Sequence, residues 1–448
     1  MKRKKLKDLN LWKVKSNRLP LILQGARQVG KTHLLKTFGQ ESFTQCHHFD
    51  FERQREVLFP IFEKSLEPAH LLQNLSLLCG KQIEPGRDLV IFDEIQNCPK
   101  AITSLKYFCE DLSELHLCAA GSLLGLSFSS DSFPVGKIDY LDLYPMEFGE
   151  FVDNQPKVML QEIYNEIGPS KVDIPSVAHQ QFWELLKCFY VTGGLPAAVK
   201  AFLNAGESSL NGFKAARLIQ ENLLKDYMAD LNKHCGKTPA LHIASVFQNI
   251  PLQLSQTVDE STMRYRFKDV IPRKKGLTEL EGPISWLEKA GLVHKVMINN
   301  RPELPLRSFC KPNLFKLFYF DHGILAAALH LPIEAIVLQD YGISKGYFAE
   351  NFIAQELKAS GAQPLYCWME NNSEIEFLQV IQGNPVPIEV KAGHRTQAKS
   401  LQEYIKTYQP ALTIKMSAQP YSREGGRVNM PLYLAGKVFE IFDSTVGG

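Results

Sequence analysis

The stretch "PLILQGARQVGKTHLL" (residues 20–35) sets one lysine in a glycine-containing turn between two apolar runs. Within it, Gly25, Ala26, Arg27, Gln28, Val29, Gly30, Lys31 and Thr32 fit G-x-x-x-x-G-K-[ST] without a gap. Residues of these types suit a polyphosphate. Gly25 and Gly30 allow close backbone approach, and the loop's N–H groups wrap the phosphates with help from the next helix's N-terminal dipole. Lys31 would reach the β- and γ-phosphates, and the Thr32 hydroxyl would bind Mg²⁺. The expected ligands are therefore ATP and Mg²⁺.

A second acidic motif supports this chemistry. "LVIFDE" ends an apolar strand in Asp93 and Glu94, the Walker B pattern. Asp93 would complete the magnesium shell, and Glu94 would orient and polarise an attacking water. A carboxylate of each kind favours hydrolysis over binding alone. Ser122 closes a third apolar run, "ELHLCAAGS", and would contact the γ-phosphate or the water. Gly-Ser ends many strands, so Ser122 carries little weight by itself.

The elements that must position these groups follow from the pattern. "LPLILQG", "DLVIFDE" and "ELHLCAAGS" are short apolar runs that turn polar at their C-terminal ends. Open parallel sheets place ligands beyond the carboxyl ends of their strands. Residues 1–155 therefore read as an α/β P-loop domain, a parallel sheet flanked by helices. Residues 156–338 read as a helical region in which "GPISWLEKAGLVHKVMI" makes a helix, a turn at Gly291 and a strand, as in a winged helix. Residues 339–448 read as a small α/β unit with strands at 364–369, 374–381 and 386–391 and a helix near 397–408.

Carboxylates also punctuate that last unit. Glu350 shares a helical face with Ile353, Ala354 and Leu357, a costly place for a charge unless it is paired or binds metal. In "SEIEFLQV", alternation puts Glu374, Glu376 and Leu378 on one face, with Ile375 and Phe377 on the other. In "PVPIEVK", Glu389 and Lys391 share a face. An ion pair on a solvated sheet explains E-x-K without catalysis.

"LQGARQVGKTHLL", "LVIFDEIQNCP", "CAAGSLLG" and "LDLYPMEFGEF" resemble a family of prokaryotic AAA-type ATPases with a C-terminal region of uncharacterised function. "FYVTGGLPAAV" and "FKLFYFDHGIL" resemble segments of that region, so the likeness covers nearly the whole chain. The family often has Gly-Arg where this chain has Gly136-Lys137. Lysine offers a point charge where arginine offers a fork, which weakens any γ-phosphate sensing there. Arg27 and Arg53 are further candidates. The order of acidic residues after 339 resembles the PD-(D/E)xK fold, a restriction-endonuclease-like domain. That resemblance implies Glu376 and Glu389 as metal ligands, Lys391 as base or charge stabiliser and Glu350 as an accessory ligand. Glu376 stands where aspartate is usual, and Mg²⁺ tolerates such displacement poorly. Three readings stay open: an ATPase coupled to a nuclease-like, nucleic-acid-associated module; an ATP-regulated, metal-dependent DNA nuclease; and a nucleotide-gated DNA-binding scaffold with an inactive nuclease fold.

Bulk properties narrow the surroundings. The 448 residues exceed one ordinary core, and 45% apolar with 22% charged residues is a globular balance. A formal net charge of +2 leaves attraction to nucleic acid to local patches. The most basic internal patch is "RYRFKDVIPRKK", in which Arg264, Arg266, Lys268, Arg273, Lys274 and Lys275 would contact duplex DNA through phosphates. Tyr265 and Phe267 there read as core. His47, His48 and Asp50 lack a spaced third ligand and read as a strand end. Nine dispersed cysteines without a CxxC pair suit reduced thiols, and no apolar run approaches the ~20 residues that span a bilayer. A cytoplasmic protein with no membrane association is expected. Sites of this type often take an arginine from a neighbouring subunit, which leaves a homo-oligomer open.

Overall fold

The computed structural model describes residues 1–121, 134–206, 210–235, 237–255, 264–338, 344–370, 373–392 and 399–442. The chain divides into two compact units, residues 1–144 with 289–291, and residues 145–288 with 292–448. The division precedes the boundary expected at 155. Phe148, on the short helix Phe148–Asp153, packs its ring against Phe189 and Tyr433, and its N–H donates to Glu356 at 2.9 Å. These aromatic and polar contacts tie the segment to the second unit's core.

In the first unit, strands β1 (Leu21–Gln24), β2 (Cys46–Asp50), β3 (Leu89–Asp93), β4 (His116–Gly121) and β5 (Asp139–Asp142) form a parallel sheet in the order β2-β3-β4-β1-β5. Strands β3 and β4 are buried along their whole length, which explains why they read as continuous apolar runs rather than alternating ones. On one side, Phe51 and Phe62 pack edge-on to Phe92 with centroids 5.4 and 5.6 Å away. This aromatic core fixes β3, and with it the acidic residues at its end.

The second unit begins with helices, among them Val158–Glu166, Ser176–Thr192, Pro196–Asn204, Leu210–Cys235 and Lys237–Leu254. A mixed sheet follows, built from β6 (Val293–Asn299), β7 (Cys310–Tyr319), β8 (Leu365–Glu370), β9 (Ser373–Ile381), β10 (Asn384–Val390), β11 (Thr413–Ser417), β12 (Ser422–Glu424) and β13 (Arg427–Pro431). Its order is β12-β13-β11-β10-β9-β8-β6-β7. The helix and strand around Gly291 are present as Leu277–Lys289 and β6. However, β6 pairs in parallel with β8 and antiparallel with β7, so this strand belongs to the large sheet and not to a separate wing. The sheet crosses the boundary expected at 338 because β8 needs a partner on that edge. Tyr265 and Phe267 pack on Phe315, as expected of core aromatics.

One strand departs from simple alternation. Tyr366 pairs with Leu378 but Trp368 pairs with Ile375, so two residues of β8 face three of β9. The extra residue makes β9 bulge, which separates Glu374 from the face of Leu378. The expectation that Glu374, Glu376 and Leu378 share a face is corrected accordingly. Among the described residues no helix is long and apolar enough to cross a membrane.

Candidate functional site: a phosphate loop and a buried acidic cluster

Residues 25–30 connect β1 to the helix Lys31–Ser42. A Cβ on Gly25 would lie 2.1 Å from the carbonyl oxygen of Leu143, so only glycine fits there. Gly30 caps the helix with φ at 96°, and Gln28 also takes a left-handed backbone. Such a conformation in a non-glycine residue costs ~1–3 kcal/mol and clusters at functional sites. Lys31 occupies the first helical turn, and its ammonium donates to the carbonyls of Gly25 and Ala26 at 2.9 and 2.8 Å. Burial lowers its pKa to about 8, against the opposing pull of Glu94 and Asp93.

Asp93 lies beside the Thr32 side chain. Its carboxylate accepts hydrogen bonds from His48 Nε2 at 3.0 Å and from the Glu94 N–H at 3.2 Å. Burial works against its charge, but these bonds outweigh burial and hold the pKa below the ordinary carboxylate value. Glu94 follows with φ at 50°, and its carboxylate accepts from Gln96 at 2.5 Å. The Thr32 hydroxyl and Asp93 carboxylate are the oxygen donors that suit a magnesium ion, with waters and phosphate completing the shell. Strand β4 lies between β1 and β3 and ends at Gly121 at the same edge. Ser122 lies outside the described residues.

His48 was read from sequence as part of a plain strand terminus, and its bond to Asp93 depends on β2 lying beside β3. His47 instead pairs with Asp88 at 3.1 Å. Lys137 pairs with Glu110 at 3.1 Å and precedes β5, at the sheet edge away from the loop. Arg53 is exposed and sits 3.6 Å from Asp50.

A family model described as an AAA domain matches residues 17–152. Residues 17–152 thus resemble an AAA domain. Two models described as domains of unknown function match residues 184–334 and 345–435. No curated protein matches. Among solved structures, a Walker-type ATPase of Pyrococcus abyssi is 16% identical, covering 73% of this chain and 95% of that one, with a TM-score of 0.44. The Aeropyrum pernix ORC1 protein in complex with DNA is 14% identical, covering 74% and 91%, with a TM-score of 0.29. Drosophila ORC bound to DNA is 16% identical, covering 69% and 89%, with a TM-score of 0.28. The matched segment holds the phosphate loop and the acidic strand end in one parallel sheet.

In the second unit the acidic residues fall into two buried groups. Glu350, on the helix Ser344–Ala359, lies 3.3 Å from Lys316 of β7, and Lys316 also pairs with Glu374. Lys316 is fully buried; burial opposes its charge, but the two carboxylates prevail and raise its pKa. The second group joins Glu376, Glu389 and Lys391. The Lys391 ammonium is 2.8 Å from Glu389 and 3.7 Å from Glu376, and Glu376 also accepts from the Val390 N–H at 2.9 Å.

Glu389 Oε2 has no hydrogen-bond donor among the described residues, and its carboxyl lies within bonding reach of Glu376. Burial and this neighbour push its pKa up to about 8. Two carboxyls so placed need a shared proton or a cation between them. Among the described residues no group of three or more His, Cys, Asp or Glu is placed to hold a metal ion. The structure therefore unites Glu376, Glu389 and Lys391, while Glu350 pairs with Lys316 and lies near enough to Lys391 to favour its charge. Sequence reading missed Lys316, because nothing in "FKLFYF" marks its lysine as a buried counter-ion.

Proposed function

We propose that the AAA domain binds and hydrolyses ATP with Mg²⁺. The placement of Thr32 beside Asp93 carries this reading, since it brings together the two donors expected to share the ion. When bound, the ion would neutralise charge developing on the transferred phosphoryl group. Backbone N–H groups of residues 25–32 would hold the phosphates, Lys31 would turn from the loop carbonyls toward them, and Glu94 would accept a proton from the attacking water. Phosphate release should be lost in Lys31→Ala and in Glu94→Gln, with the second variant still binding ATP. Release at the wild-type rate in Lys31→Ala would sink the proposal.

The second unit would be a nucleic-acid-associated, nuclease-like module whose state follows ATP turnover. Exposed Arg264, Arg266, Lys268, Arg273 and Lys275 support association with a phosphate backbone. Cleavage is a second reading, supported by Glu389 Oε2. The Glu376 and Glu389 pair would accept one divalent ion in place of a shared proton, with Lys391 alongside. Plasmid nicking with Mg²⁺ or Mn²⁺, lost in Glu389→Gln, would select cleavage. Intact plasmid under every condition would leave an association module alone.

A further inference from the structure

A cleft in the second unit is not used by either acidic group. It has a volume of about 580 Å³ and lies between the helix Lys399–Tyr408 and strands β11, β12 and β13. Lys406 lines it from the helix, Lys415 from β11 and Arg427 from β13, against one carboxylate, Glu424 of β12. None of the three cations makes an ion pair with a described residue. A second hollow of about 310 Å³ shares Thr413, Glu424 and Arg427 and continues the cleft toward Gly426.

Register shows where this cleft leads. Thr413 pairs with Arg427, and Lys415 pairs with both Glu389 and Asn429. Paired residues of neighbouring strands point to the same face, so Glu389, Lys415 and Asn429 form one row across the sheet. Lys415 and Arg427 are diagonal neighbours about 7–8 Å apart on that face. Glu389 follows one strand spacing beyond Lys415, about 4.8 Å away.

We infer that this cleft seats the phosphate backbone of a single-stranded nucleic acid, on the sheet face that also carries Glu389. The inference rests on the nucleic-acid association proposed above. Three unpaired cations in an elongated hollow complement a polyanion rather than a single small anion. At about 580 Å³ the hollow can take one strand's backbone but cannot enclose a duplex. The apolar lining comes from Leu401, Ile405 and Val428, and among the described residues no aromatic ring lines it for a base to stack on. Binding should therefore depend on salt and be indifferent to base identity.

The test uses the full chain with fluorescein-labelled oligothymidine, oligoadenosine and duplex DNA, titrated at several salt concentrations. Two variants are compared: Lys406→Ala with Lys415→Ala and Arg427→Ala, and a second with the exposed cations of 264–275 replaced by alanine. The cleft variant should bind single strands at least about tenfold more weakly, with the slope of log K against log salt lower by about 2. The unfolding transition of its second unit should match wild type, which shows that this unit folds, and Glu424→Gln should bind more tightly. Single-strand affinity lost only in the 264–275 variant would overturn the cleft while keeping nucleic-acid association. Wild-type protein that binds no single strand would overturn the cleft, and silence toward duplex as well would remove the association reading too.

Discussion

His48 illustrates how one side chain tunes another. Its Nε2 lies 3.0 Å from Asp93 Oδ2 and shares the carboxylate with Thr32. A partner that orients a metal-binding carboxylate is typically worth about 10–100-fold in metal affinity. His48→Ala should accordingly raise the Mg²⁺ concentration for half-maximal ATP hydrolysis by about that factor. An unchanged Mg²⁺ dependence would remove His48 from the site.

Lys31 makes a pH-dependent prediction. Its pKa is lowered from 10.5 to about 8, whereas a bound polyphosphate favours the charged form. Below about pH 8 the free protein already carries the proton that ATP needs. Above it, binding must take the proton up, so affinity should fall up to tenfold per pH unit toward the ordinary lysine value. The sign for stability is opposite. The unfolded chain holds this proton longer than the folded one, so the nucleotide-free protein gains stability from Lys31 as pH rises through the same window. Calorimetric ATP titrations between pH 7 and 9.5 would check the first effect.

At the scale of elements, β9 shows why a two-residue period can mislead. The bulge opposite Tyr366 and Trp368 sends Glu374 to Lys316 and leaves Glu376 with Glu389 and Lys391. Lys316 then fastens β7, β9 and the helix Ser344–Ala359 through one buried charge. Lys316→Met would strand two carboxylates in the interior. It should cost about 3–5 kcal/mol at pH 7.5 and less at pH 5, where the carboxyls can protonate. Urea unfolding at both pH values would measure this, and equal losses would deny the ion pairs their role.

Gly194 bears a different constraint on the same unit. A Cβ there would lie 2.3 Å from the Met146 carbonyl oxygen and 2.8 Å from its nitrogen, both backbone atoms that cannot swing aside. Its N–H donates to the buried Asp321 at 2.6 Å. Gly194→Ala should lower the unfolding midpoint of this unit, whereas the exposed Gly282, with open space around its Cβ, should tolerate alanine.

The whole molecule comprises two compact units with separate sheets, the AAA domain's phosphate site being contained in the first. Calorimetry should resolve more than one unfolding transition. Saturating ATP with Mg²⁺ should stabilise the AAA unit by about 2.7 kcal/mol at a hundredfold excess over Kd. A transition that ignores nucleotide in wild type, as in Lys31→Ala, would contradict the assignment.

Sequence alone determined the phosphate loop, the acidic end of β3 and the strands and helix that frame residues 364–408. The reason is locality: glycine spacing, apolar runs and capping are read within a few residues and owe nothing to distant neighbours. Tertiary structure decided that His48 reaches Asp93, that Lys316 pairs with Glu350, and that Lys406, Lys415 and Arg427 line one cleft. Those contacts depend on strand order and on one inserted residue in β9. Neither leaves a periodic trace in the chain, because pairing partners far apart in sequence are chosen by packing energy summed over the whole sheet.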